Sequence, residues 1–265
     1  MIDASKKIGI RIGVEALGNT VMWSHLPENY YRFHGTKLVD VERKWVFDSN
    51  PYVERGVEPD EVFDLSWVDH REWMPPARNL PVCLSLADDR FTRLGIGKVV
   101  LRHPRLYRYE DVPVVRNKVI VHAFSDSNER PLPHYECRRR HMPDYVFEVI
   151  RQRYSDCDLV QIGGACDPAL EGARDRRGLE IWDTVRELAD AALFIGIDSG
   201  PSNLMACFPR VPRNILLSQF DSEYLRTAFF PMNPAYQHHQ WHDWGCQFYN
   251  CSEDDAGVTF SYRKI

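Results

Sequence analysis

Short apolar runs, small-residue turns and stretches of helical spacing alternate along the chain. Ile8–Val14 (IGIRIGV) and Lys37–Val41 (KLVDV) read as strands. Between them, Glu15–Asn19 reads as a turn and Thr20 as the cap of a helix running to Phe33. Val21, Leu26, Tyr30 and Phe33 follow helical spacing loosely, and Pro27 is expected to kink this helix or end it early. The result is a βαβ opening with a Gly-containing loop. From Glu42 to Arg90 the pattern dissolves into Trp, Pro and acidic residues. Short strands are expected at Trp45–Phe47 and Val62–Leu65, joined by long loops of the kind that often carry function. Val82–Gly95 reads as a helix and Val99–Leu101 as a strand. The stretch after it, with Pro104 and Pro113 among charged neighbours, has the mixed polar look of a linker, which places a domain boundary near Val112–Asn117.

The second half is clearer. Lys118–Ala123 (KVIVHA), Asp158–Ile162 (DLVQI), Leu193–Ile197 (LFIGI) and Asn214–Leu217 (NILL) predict four strands. Helices are expected at Pro143–Tyr154, with Val146, Val149 and Ile150 on one face, and at Ile181–Ala192, with Val185, Leu188 and Ala192 inward. A third begins at Ser202. The pattern predicts an α/β protein of two Rossmann-like, doubly wound domains facing a cleft, over residues 1–115 and 116–265.

The stretch Ala191–Ala206 (AALFIGIDSGPSNLMA) is the strongest candidate site. A buried strand gives way to Asp198, Ser199, Gly200 and Pro201 and then to a helix start. Open α/β sheets bind ligands in such places, because small residues let backbone N–H groups approach an anion. Two readings stay open: a seat for the diphosphate of a nucleotide-sugar, or a βα connection with no ligand.

Charge and cysteine content narrow the function classes. A net charge of -5 gives no indication of nucleic-acid binding, although Arg138, Arg139 and Arg140 form a local basic cluster. No stretch approaches the ~20 apolar residues of a membrane span, and the first residues lack a signal-peptide layout, so a cytoplasmic location is expected. Seven cysteines without framework spacing are expected to be reduced.

The second half resembles the family 9 glycosyltransferases, heptosyltransferase-like enzymes of bacterial surface polysaccharide assembly. The matching residues are the strand Val119–Ala123 with its polar loop, Gln161-Ile162-Gly163-Gly164, the helix Thr184–Ala192 and the run Phe194–Ala206. The first strand and helix match more faintly. The resemblance implies a GT-B fold, a nucleotide-sugar donor held mainly by the C-terminal domain, a hydroxyl acceptor and no metal or other cofactor. It implies that Asp198, Ser199, Gly200 and Pro201, with Ser202 and Asn203 following, meet the donor diphosphate. Ser125, Ser127, Asn128 and Arg130 fall where the family meets the donor phosphates with Lys or Arg, Arg130 being the best match. Asn19 stands where family members commonly carry the acid proposed as general base, and an amide takes no proton at neutral pH.

Glycosyl transfer needs the leaving diphosphate neutralised and the acceptor hydroxyl deprotonated. Arg130 and backbone N–H groups near Gly200 suit the first task. For the second, Glu15, four residues before Asn19, is the first choice, ahead of His25 and Glu28; it is equally readable as a solvated loop acid. Gly163 and Gly164 would admit the nucleoside, with Asp167 accepting from a ribose hydroxyl, or form a plain tight turn. Asn19 also raises the alternative of a catalytically silent nucleotide-sugar-binding protein. A nucleotide-sugar epimerase is a third reading, although no G-x-G-x-x-G suggests NAD. His238, His242 and Cys246 have i, i+4 spacing that could present metal ligands on a helix, or they pack the C-terminus. Trp45, Trp67 and Trp73 could stack on sugar or base, or lie in the core.

Overall fold

A computed structural model describes residues 6–13, 17–21, 23–64, 94–97, 104–124, 142, 144–197, 199–218 and 246–251. The chain divides into two compact units, Met1–Glu110 and Asp111–Ile265.

Among its described residues the N-terminal unit is built on a four-stranded sheet of order β3-β2-β1-β4, from β1 (Ile8–Arg11), β2 (Leu38–Asp40), β3 (Val53–Glu54) and β4 (Glu61–Asp64). Every pair is parallel. Ile8, Ile10, Leu38 and Val39 are buried, as a sheet covered on both faces requires. After β1 come α1 (Leu17–Val21) and α2 (Leu26–His34). These correct the expected single helix. Leu17–Asn19 are already helical, so Thr20 lies inside α1 rather than capping it, and Thr20 and Val21 are both buried. Pro27 opens α2, because the first helical turn has no use for its missing N–H. Gly35 closes the helix in the left-handed conformation (φ 75°), its N–H donating to Tyr31 O at 2.8 Å.

Trp45–Phe47 is a 3-10 turn, not a strand. Arg55 pins it, donating through Nη1 to Asp48 (2.6 Å), through Nη2 to Lys44 O (2.6 Å) and through Nε to the buried Asp40 (3.1 Å). Of Val62–Leu65, Val62–Asp64 belong to β4, which pairs along β1 from Ile8↔Glu61 to Arg11↔Asp64. The expected helix at Val82–Gly95 and strand at Val99–Leu101, with Trp67 and Trp73, lie outside the described residues except Leu94 and Gly95, which form a turn.

Among its described residues the C-terminal unit holds six strands, all parallel, in the order β10-β9-β8-β5-β6-β7. They are β5 (Lys118–His122), β6 (Asp158–Gly163), β7 (Arg174–Arg177), β8 (Leu193–Ile197), β9 (Arg213–Ser218) and β10 (Cys246–Cys251). The sheet grows from β5 outward on one side through β6 and β7, then restarts beside β5 with β8 and runs through β9 and β10. This is the doubly wound order of dinucleotide-binding sheets, with its reversal point between β5 and β8. Among the described residues the helices α3 (Asp144–Arg153), α4 (Ile181–Ala189) and α5 (Gly200–Leu204) accompany the sheet.

One face of this sheet packs Val119, Val121, Leu159, Ile195 and Ile197 against Val146, Phe147 and Ile150 of α3. Parallel pairing puts His122 beside Gly196 and Ile120 beside Phe194, on the opposite face. Lys118 opens β5 and is buried with two carboxylates, Glu187 (2.6 Å) and Asp190, while Arg176 also reaches Glu187 at 2.7 Å. That ionic knot fastens the amino end of β5 and strand β7 to the helix that carries Glu187.

Candidate functional site

The carboxyl ends of β5, β6 and β8 lie together along one edge of the C-terminal sheet. The sequence-derived donor residues that the structure describes all fall on this edge. Gly163 ends β6 and Gly164 follows it, Ser199–Asn203 follow β8, and Phe124 leads out of β5 toward 125–130.

The turn after β8 is locked by its own side chains. Ser199 is the N-cap of α5, and its Oγ accepts weakly from Ser202 N–H (3.5 Å) while its own N–H donates to Ser202 Oγ (2.9 Å). This is a reciprocal capping box with serine in the place usually taken by Glu or Gln. Ser202 Oγ donates in turn to Ser199 O (2.7 Å), which also accepts from Asn203 Nδ2 (3.1 Å). Ser199 and Ser202 are buried, so both hydroxyls face inward and serve the backbone rather than a bound molecule. Gly200, Pro201 and Asn203 carry the exposed surface of the turn.

A buried residue not singled out in the sequence reinforces it. Nδ1 of His122, at the end of β5, lies 2.9 Å from Ser199 Oγ. The bond crosses between β5 and β8, at the reversal point of the sheet. Burial pushes the His122 pKa down to about 4, so the imidazole is neutral at pH 7. Its seat exists because position 196 has no side chain: a Cβ on Gly196 would come within 3.2 Å of His122 Cβ and 2.6 Å of the Phe194 ring. In the sequence His122 is one polar letter ending an apolar run, and no spacing marks it as more than strand.

The turn after β6 is closed in a similar way. Asp167 Oδ2 accepts from Gly164 N–H at 2.6 Å, and Gly178 N–H donates to Gly163 O at 2.9 Å. Arg177 Nη1 donates to Asp167 O while its other nitrogens hold Asp175. The Asp167 carboxylate therefore braces the Gly163–Gly164 backbone. Cys166, exposed and reduced, is in the same turn.

In the N-terminal unit, the N–H groups of Ile12 and Gly13, just past β1, donate to Glu42 Oε2 at 2.8 and 3.2 Å. An internal carboxylate thus occupies the anion position that a Gly-bearing loop offers after a first strand. No spacing in the chain marks Glu42, a loop acid 30 residues downstream of Ile12.

Several candidates fall outside the described residues: Glu15, Ser125, Ser127, Asn128, Arg130 and Asp198, with the Arg138–Arg140 cluster. Asn19 belongs to α1 by its backbone. His238 and His242 are also outside, and Cys246 begins strand β10, so it does not share a helical face with them. Among the described residues no group of three or more His, Cys, Asp or Glu side chains is placed to hold a metal ion, and no helix is long and apolar enough to cross a membrane.

No protein-family model and no curated protein matches the sequence. Solved structures do. A family 9 glycosyl transferase from Veillonella parvula superposes with a TM-score of 0.64 at 13% identity, over 98% of this chain and 90% of that one. The Escherichia coli heptosyltransferase WaaC, solved with ADP, gives 0.55 at 14% identity, over 81% of this chain and 88% of that one. TibC, an iron-containing dodecameric glycosyltransferase of enterotoxigenic E. coli, gives 0.58 at 16% identity over 80% of this chain. This chain spans 60% of the length of TibC. The two parallel, Rossmann-like sheets and these similarities agree: the chain has the fold of the family 9, heptosyltransferase-like glycosyltransferases.

Proposed function

We propose that this protein is a glycosyltransferase that moves a sugar from a nucleoside diphosphate donor to a hydroxyl acceptor, in bacterial surface glycan or related glycoconjugate synthesis. One observation carries the reading: two pre-shaped turns, Gly163–Asp167 and Ser199–Asn203, flank β5 at the reversal point of a doubly wound sheet. TibC has been solved in complex with ADP-D-beta-D-heptose and WaaC with ADP-2-deoxy-2-fluoro heptose, which supports a nucleotide-sugar donor. Glu42 already fills the corresponding anion position of the N-terminal unit, so the donor is assigned to the C-terminal unit and the acceptor to the N-terminal one.

In this reading the diphosphate rests against the backbone at Gly200 and Pro201, with Asp198 shaping the turn and Arg130, Ser125, Ser127 and Asn128 facing the phosphates from the segment after β5. The nucleoside lies by Gly163 and Gly164. The acceptor oxygen attacks the anomeric carbon, the bond from that carbon to the diphosphate breaks, and Glu15 takes the hydroxyl proton. Arg130 and the turn N–H groups hold the charge that grows on the leaving group. We place the enzyme in the cytoplasm and propose that it works without a metal.

Binding and turnover test these roles separately. Titration calorimetry with ADP, UDP, GDP and CDP is expected to find one tight nucleotide. Asp198→Ala and Arg130→Ala each weaken it by roughly tenfold or more, the scale of one charge-assisted hydrogen bond. Glu15→Gln keeps nucleotide affinity but loses turnover of the matching nucleotide-sugar by about 100-fold or more. Turnover unchanged by EDTA fits the metal-free reading, and its loss removes that part. Tight binding with no turnover of any donor would favour the silent binding protein that Asn19 suggests.

A further inference from the structure

The contacts of Ser199 Oγ determine more than a cap. Among the described residues three polar atoms surround it: His122 Nδ1 at 2.9 Å, Ile197 O at 3.2 Å and Ser202 N at 3.5 Å. A hydroxyl has one proton to give and two lone pairs to receive with. Ile197 O can only accept and Ser202 N–H can only donate. If His122 Nδ1 were bare, it would compete with Ile197 O for the single hydroxyl proton, and one contact would be lost. If Nδ1 carries the ring proton, all three contacts are made at once: Oγ donates to Ile197 O and accepts from both N–H groups. His122 is neutral at pH 7, so the ring has one proton to place.

The same hydroxyl leads into the rest of the turn. Ser199 N–H and Ser199 O bond Ser202 and Asn203, so fixing Ser199 fixes 199–203 as one piece. His122 belongs to a different strand, and Gly196 beside it leaves the space for its ring. The imidazole thus ties the turn after β8 to β5, the strand that leads to residues 125–130.

We propose that His122 is a positioning residue of the donor site: as its Nδ1–H tautomer it holds Ser199 Oγ, and through it the 199–203 backbone, in the geometry that receives the diphosphate. The proposal rests on the donor-site reading above and adds the residue and tautomer on which that site depends. His122 is buried, so it acts through Ser199 and not by touching the donor.

The substitutions that separate this role from simple packing differ in where they put a donor. The amide nitrogen of Asn reaches the place of Nδ1, that of Gln the place of Nε2, and Phe fills the space with no donor. Nucleotide affinity is measured with ADP, UDP, GDP and CDP on folded protein, with each variant's Tm recorded alongside. His122→Asn is expected to bind within about threefold of wild type, whereas His122→Gln and His122→Phe lose roughly tenfold, the worth of one buried hydrogen bond. Ser199→Ala should lose as much, and adding His122→Phe to it should cost no more, because the two residues act as one unit. Imidazole nitrogen NMR on wild-type protein should show the proton on Nδ1. A ring protonated on Nε2 overturns the proposal, even if the Phe variant fails to fold. Equal affinity in all His122 variants, with only Tm changed, overturns it while leaving the donor site standing. Wild-type protein that binds no nucleotide removes the donor site and this role together.

Discussion

Gly163 shows how one backbone position sets the shape of a turn. Its φ is +151°, and a Cβ there would collide with Asp167 Oδ2, the atom that accepts from Gly164 N–H. Gly163→Ala therefore combines backbone strain with expulsion of the bracing carboxylate. The expected cost is about 2 kcal/mol in urea unfolding, with a matching loss of nucleotide affinity. Gly200 makes the contrast: no positive φ marks it, so its smallness bears on what approaches the turn from outside. Ser202→Ala removes one half of the capping box and leaves Ser199 N–H unpaired in a buried turn. A loss of about 1 kcal/mol is expected, read as a lower urea midpoint at unchanged slope. The pattern D-S-G-P-S-N was legible in the sequence as a small-residue turn, but the inward aim of its two hydroxyls was not. A string of letters shows that a serine can bond, and only the fold decides whether it faces a ligand or its own backbone.

Among the elements, α2 is held by charge as well as by its apolar face. Glu28 is completely buried and accepts from Tyr107 Oη (2.6 Å), Arg105 Nη1 (2.9 Å) and Arg32. Arg105 N–H adds a bond to Ser24 Oγ at 2.8 Å, so the segment 104–110 is sewn to α2. Burial alone would raise the Glu28 carboxyl, but the Tyr107 hydroxyl and the two guanidinium groups outweigh it and hold it below its ordinary 4.5. A depressed carboxyl pKa contributes stability that is whole above pH 4.5 and is lost as pH falls through the folded value. Glu28→Gln should remove that contribution and leave two arginines without their shared anion, costing about 3 kcal/mol at pH 7 in urea unfolding. None of this partnership shows in local pattern, since Glu28 and Arg105 stand 77 residues apart. The strands that were legible, β1, β2, β4, β5, β6, β8 and β9, are those whose short apolar runs announce themselves. The strands that were not are edges: β7 reads Arg-Asp-Arg-Arg, a charged strand that guards the sheet against further pairing, β3 has only two residues, and β10 starts at Cys246, whose spacing from His238 and His242 read as helical.

Across the molecule, acid should act on the two units over different ranges of pH. Among the described residues of the N-terminal unit the carboxyl with a shifted pKa is Glu28, whose contribution is complete down to pH 4.5. In the C-terminal unit His122 responds earlier. Its folded pKa of about 4 lies below its ordinary 6.5, so between those values the unfolded chain binds a proton that the folded unit refuses. Stability then rises with pH through that window, is fully present above pH 6.5, and falls as pH drops from 6.5 toward 4. The total is roughly 3 kcal/mol, or about a tenfold rise in opened protein for each pH unit. Cys207 is buried in this unit and reduced, so its labelling by a thiol reagent, normalised to the rate in urea, reports opening. Wild-type protein should label faster at pH 5.5 than at pH 7.5, and His122→Asn should erase the difference, because an amide has no proton to gain. The same variant is expected to keep nucleotide affinity, which divides the two properties of His122: its hydrogen bond shapes the turn, and its refusal of a second proton makes the unit acid-sensitive. An equally steep pH dependence in His122→Asn would assign the sensitivity to another group and leave the imidazole only the first of those roles.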